Sequence, residues 1–124
     1  MAISMATTLR NNRLDQITTF AGSGAKLRVY TAAYGALLYE SVCAATLAGA
    51  ASAGVLTANA IANATATGAG TAAIARLYKS DGTTMILEGL TVGTSGTNVV
   101  ITNTTIAVSD VITTSSMTIT EGNP

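Results

Sequence analysis

Apolar residues along this chain recur mostly at every second position, in short runs broken by Gly, Ser, Asn and Asp. That is the period of half-buried β-strands. Over 26–32, Leu27, Val29 and Thr31 alternate with Arg28 and Tyr30. A turn near Tyr34-Gly35 leads into 36–44, where Leu38, Glu40 and Val42 oppose Leu37, Tyr39, Ser41 and Cys43. Residues 46–54 are rich in Ala, Gly and Ser and read as a loop with room for one helical turn, because Gly49 and Gly54 bracket too little sequence for a stable helix. A strand is expected over 55–62, followed by a polar, Gly-bearing connection over 63–70. After a turn cluster at 93–97, the β-branched stretches 98–105 and 106–108 suit a pleated surface. Ser109-Asp110 marks a turn. Over 111–120, Val111, Met117 and Ile119 are expected on one face, with Ile112, Thr114, Ser116, Thr118 and Thr120 on the other. Residues 121–124 form a short tail.

The clearest local signal lies at 71–92, where two extended segments meet at Lys79-Ser80-Asp81-Gly82. Asp-Gly favours a two-residue type I′ hairpin turn, which needs positive φ at both central positions. With Asp81 and Gly82 as that pair, Ser80 faces Thr83, Lys79 faces Thr84, Tyr78 faces Met85 and Arg76 faces Leu87. Ile74, Arg76 and Tyr78 then share a face with Met85 and Leu87, and Leu77 and Lys79 share the other with Thr84 and Ile86. Both faces are partly apolar, as in a strand pair between two layers.

Residues 1–25 differ from the rest. Leu14, Ile17 and Ala21 are spaced for one face of a short helix, and Gly22 is placed to end it. Residues 21–25 read as a flexible joint. The segment is expected to be a short helix or arm that docks on a neighbouring subunit, leaving 26–124 as a single domain. With about seven or eight strands at spacings near ten residues and no long helix, the class is all-β, an antiparallel sandwich or barrel.

Composition narrows the function by exclusion. Charged residues make up only 10% of the 124, and six Lys/Arg balance six Asp/Glu. That removes the basic footprint of a nucleic-acid binder. Few charges and a positive mean hydropathy suit a surface largely covered by neighbours, hence a homo-oligomer. Histidine is absent, so neither a Ser-His-Asp nor a Cys-His site can be assembled. The single cysteine, Cys43, reads as a small core residue and cannot build a zinc site alone. Glu40 and Glu88 are open to an acid/base pairing, but an ion-paired strand face explains them more simply. The run 22–26 lacks the Ser/Thr that follows Lys in a phosphate loop, and 68–73 precedes a hairpin where a dinucleotide fingerprint precedes a helix. Asn63 and Asn103 sit in glycosylation sequons expected by chance in a chain this rich in Asn and Thr. The start of the chain has no apolar run of a secretory signal, and 41–75, although uncharged, is too rich in small and polar residues for a membrane span. No catalytic residue, cofactor, metal, small-molecule substrate, nucleic-acid or membrane partner is expected.

The run 9–30 (LRNNRLDQITTFAGSGAKLRVY), 77–83 (LYKSDGT) and the closing 117–122 (MTITEG) resemble small structural proteins of tailed bacteriophages, over most of the chain and without a catalytic signature. The resemblance is to capsid decoration, or cement, proteins. It implies a jelly-roll-like β-sandwich on the virion surface, made in the bacterial host cytoplasm. It also implies a dimer or trimer that bridges major capsid protein subunits. A tail or head-completion component and a carbohydrate-binding module, for which Tyr30, Tyr34 and Tyr39 are candidates, remain alternatives. As interface residues, the sequence offers Arg10, Arg13, Leu14, Ile17 and Phe20 from the arm, and Arg76 and Lys79 from the hairpin.

Overall fold

The computed structural model describes residues 6–120; the tail at 121–124 lies outside them. The chain is mostly β with one helix. A curled, mixed seven-stranded sheet carries the strand order β2-β1-β6-β7-β8-β11-β3. Its members are β1 (Lys26–Tyr30), β2 (Leu37–Val42), β3 (Val55–Thr57), β6 (Ile74–Tyr78), β7 (Met85–Gly93), β8 (Val99–Ile101) and β11 (Thr114–Thr120). Two short ribbons complete it: β4 (Ala64–Thr65) with β10 (Val111–Ile112), and β5 (Gly70–Thr71) with β9 (Thr105–Ile106). The described residues thus hold eleven strands instead of seven or eight. The expected polar connection at 63–70 supplies β4 and the start of β5, and the strand expected over 55–62 shortens to three residues.

Every strand pair is antiparallel except β7 and β8, which run parallel with Val92 opposite Val99. Parallel neighbours normally need a crossover of a dozen or more residues. Here residues 94–98 turn the chain, and Asn98 holds the turn. Its amide oxygen accepts from the Thr91 N–H and hydroxyl, each at 3.0 Å, and its Nδ2 donates to the Thr118 carbonyl at 3.1 Å. One side chain therefore joins β7, the turn and β11.

The 71–92 hairpin forms, with Tyr78 opposite Met85 as its spacing predicts. Its turn differs. Gly82 alone of the expected pair takes positive φ, at 72°, and its N–H donates to the Lys79 carbonyl. Two register shifts follow: Leu77 pairs with Leu87, and Ala75 with Leu90. The first moves Leu87 onto the face of Leu77, away from Arg76, where an unbroken alternation would place it. The second leaves Arg76 opposite Glu88 and Gly89, and Gly89 adopts the φ of 76° that such a bulge requires. The same device acts elsewhere. A shift after Val29 buries both Leu38 and Tyr39, and one beside Ser115 buries both Thr114 and Met117 while Val111 is exposed. The regular alternation expected over 36–44 and 111–120 is therefore broken at these points.

The inward side chains Leu27, Val29, Tyr39, Leu77, Leu90 and Met117 share one buried cluster with Ala64, Ala66, Ile106 and Ile112 from the ribbons and their flanks. Edge strand β2 is not left open, because the N–H groups of Ala62, Thr67 and Gly68 donate to the carbonyls of Val42 and Leu38.

Helix α1 (Thr7–Ala21) ends at Gly22, whose φ of 65° lets its N–H reach the Thr18 carbonyl. Leu14 is only 1% exposed and packs with Ala48 and Leu56, and Ala21 joins the main cluster. Polar side chains on the same helix hold the 48–54 loop. Asp15 Oδ1 accepts from the Ala51 N–H at 2.8 Å, and Asn11 Oδ1 accepts from the Gly54 N–H at 2.9 Å. One turn apart on the helix, these two satisfy amides that the loop cannot pair itself. Residues 46–54 contain no helical turn, only bridges of Ala48 with Ala58 and of Ser52 with Val55. Among the described residues, no helix is long and apolar enough to cross a membrane.

The helix is therefore a structural part of the domain. Leu14→Ala should lower the unfolding free energy by about 2–4 kcal/mol, measured by urea denaturation. A loss below about 1 kcal/mol, typical of a surface substitution, would show that the helix is not docked.

Candidate interaction face

Strand alternation decides which side chains a partner can reach. Leu27, Val29, Ala75 and Leu77 enter the core, so Lys26, Arg28, Tyr30, Ile74, Arg76 and Tyr78 line the opposite face of β1 and β6. Pairing with β2 adds Val42, Glu40 and Leu37 to that face, and pairing with β7 adds Met85 and Thr91.

Arg28 and Arg76 are direct cross-strand partners, an arrangement that repels unless it is relieved. The two guanidinium groups lean towards opposite ends of the strands. Arg28 lies 4.5 Å from the centre of the Tyr78 ring and donates its Nε–H to Glu40 Oε2 at 2.6 Å. That bond raises the Arg28 pKa above its ordinary value, with burial opposing it. Lys26 Nζ stands farther off, 3.9 Å from Glu40 Oε1. Arg76 lies 3.8 Å over Tyr34 and 5.5 Å from Tyr30, with Glu88 Oε2 3.6 Å from its Nε. Stacking on aromatic faces is worth about 0.5–1 kcal/mol at exposed positions, comparable to an exposed ion pair.

Tyr34 reaches this face through strained backbone. Ala33 and Tyr34 both take positive φ, 58° and 56°, in the short 3-10 turn Ala32–Tyr34. The turn is closed by Thr31, whose Oγ1 accepts from the Ala36 N–H and whose N–H donates to the Ala36 carbonyl. Two such residues cost on the order of 1 kcal/mol each or more. Offsetting contacts follow from the geometry: the Tyr34 hydroxyl accepts from the Gly89 N–H at 2.6 Å, and its ring meets Tyr30 edge-on at 5.4 Å. The turn thereby reaches across β6 to the bulge of β7.

The residues singled out from the sequence divide into two groups. Leu14 faces the core and is closed to a partner, and Ile17 is half-buried against the same core. Phe20, 49% exposed, meets Lys79 with the ammonium 4.6 Å from its ring centre, joining the helix to the hairpin tip. Arg10 is half-buried and Arg13 exposed on the helix. Arg76 lies apart from these, on the outer face of the sheet. Sequence reasoning passed over Lys26 and Arg28 as part of a site, although their alternation with Leu27 and Val29 marked them as outward. Glu40 and Glu88 do not face each other. Each sits beside an arginine at opposite sides of the face, the ion-paired arrangement. Tyr39 and Cys43 lie inside: burial pushes the Tyr39 phenol up to about 12, with the Thr114 hydroxyl acting against it, and pushes the Cys43 thiol up to about 11. A thiol so held is not a nucleophile at neutral pH.

At the hairpin tip, Asp81 accepts from the Thr84 hydroxyl at 2.6 Å and from the Thr83 and Thr84 amides at 2.8 Å each. The Thr84 hydroxyl first, then the two amides, hold its carboxyl far below the usual carboxylate range. With the folded pKa depressed, the stability Asp81 contributes is complete above the unfolded value of about 3.9 and is lost as pH falls through the folded value. Urea denaturation at a series of pH values should therefore show a shallower loss of stability below about pH 4 in Asp81→Asn than in the parent chain. Equal slopes would mean that the carboxylate is not held by these bonds. No family model matches the chain, and no curated protein or solved structure matches it either.

Proposed function

We propose that this protein is a non-enzymatic virion component, a decoration protein that bridges neighbouring major capsid subunits on the head of a tailed phage. The observation that carries the reading is the outer face of β2, β1, β6 and β7. It mixes tyrosine, arginine and exposed Leu37, Val42 and Met85, and aromatic residues, arginine and methionine are the types enriched where proteins bind proteins. Supporting it are the resemblance of 9–30, 77–83 and 117–122 to phage structural proteins and the low charge of the whole chain. The jelly-roll-like sandwich belongs to the same proposal, with the ribbons β4–β10 and β5–β9 as a reduced second layer.

The mechanism is additive. Each bound copy stabilises the assembled state and not the separated one, so opening the shell also requires releasing the copies that bridge it. An arm reaching across a subunit boundary fits this geometry poorly, because withdrawing α1 would expose Leu14 and Ala21. Contacts through the sheet face cost nothing of that kind. A dimer or trimer is part of the proposal. The carbohydrate-binding alternative loses two of its three tyrosines to packing: Tyr39 is buried, and the Tyr34 ring is covered by Arg76.

Purified protein should bind saturably to heads assembled without it, and undecorated heads should open at a lower temperature than decorated ones in a calorimetric scan. Equal opening temperatures, or binding at a few copies per particle, would contradict the decoration role.

A further inference from the structure

The hairpin end of the outer face carries a charge imbalance that the domain does not use. Lys26 and Arg28 share Glu40, the only carboxylate paired with either among the described residues, and Arg28 occupies it at 2.6 Å while Lys26 stands at 3.9 Å. Asp81 adjoins Gly82 at the hairpin tip, but its oxygens are engaged by Thr83 and Thr84. Both cations converge on the tip: a Cβ on Gly82 would lie 2.9 Å from Arg28 Nη2 and 3.8 Å from Lys26 Nζ. Cross-strand pairing places Val42, Lys26, Tyr78 and Met85 in one row, so the surplus cation lies between two exposed apolar side chains, 48% and 41% open.

We infer that this row is a docking surface for a protein segment that presents a single carboxylate between apolar side chains. The carboxylate meets Lys26 and the outward N–H groups of Arg28, and the apolar neighbours cover Val42 and Met85. Stacking on Tyr78 holds the Arg28 side chain in place, so less freedom is lost when the partner arrives. A polyanion is disfavoured. Glu40 and Glu88 lie on the same face and repel a run of phosphates, and the chain has no net positive charge to attract one. The inference rests on the reading that the protein works by binding another protein, and it names the face and the chemistry of that contact.

The test uses the isotope-labelled full chain and end-blocked pentapeptides with Val-Glu-Leu or Val-Gln-Leu at their centre. NMR follows the Arg28 Nε–H and the methyl groups of Val42 and Met85. The Glu peptide should shift all three saturably. The Gln peptide, or the Glu peptide with Lys26→Gln, should bind about tenfold more weakly, the weight of one charge-assisted contact. Val108→Ser, on an exposed loop outside this row, should bind as the parent does. Urea midpoints close to the parent's establish that the variants are folded. No saturable shift at millimolar peptide, equal binding of the two peptides, or tighter binding of an oligothymidylate would overturn the inference. Failure here with binding to heads retained removes this face alone. Peptide recognition without binding to heads removes the virion reading instead.

Discussion

The row in which Leu77 meets Leu27 on one side and Leu87 on the other is the contact on which the remaining structure depends. It decides which half of β6 belongs to the core. Once Leu77 and Ala75 point inward, Arg76 and Tyr78 must point outward, and the neighbours on β1 follow the same parity. Since Leu87 can join that row only if Ile86 is set out of register, the bulged hairpin and the charged outer face are two results of one pairing. The core this builds is made of small pieces, mostly Ala, Val and Leu, with Tyr39 its largest fully buried side chain. Such a core is filled by bringing the backbone of the ribbons close to the sheet.

Much of this was legible in the sequence, for physical reasons that can be stated. The spacing of Leu14, Ile17 and Ala21 and the stop at Gly22 describe the helix, because helix periodicity and C-capping are local. The meeting of Tyr78 and Met85 was likewise accessible, because a tight turn sets the pairs nearest to it. Lone Cys43, buried as a small core residue, also agrees with the residue-level reading. Beyond Tyr78 the alternation failed. A bulge shifts every later residue to the other face, and among the bulged positions only Gly89 left a mark in the sequence. Asn11 and Asp15 were passed over because the amides they satisfy lie some forty positions away in the chain. The parallel pairing of β7 and β8 depends on Asn98 contacting two strands at once, which no local pattern encodes.

The candidate face shows the same division. Alternation with Leu27 and Val29 sends Lys26 and Arg28 outward, but their grouping with Arg76 and Glu40 depends on strand order, which is not local information. Strand order brings two arginines side by side, and tyrosines from three places in the chain then carry them. Tyr34 does so at the expense of left-handed backbone, and the helix makes no contribution there. The two parts are thus separate: α1 and its loop complete the domain, and the outer sheet face stays exposed at Leu37, Val42 and Met85.

The most direct test of the account is cross-strand nuclear Overhauser contacts along the 71–92 hairpin in solution. Contacts placing Leu77 opposite Leu87 and Ala75 opposite Leu90 are the predicted result. Contacts placing Arg76 opposite Leu87, as an unbroken two-residue hairpin requires, would contradict it.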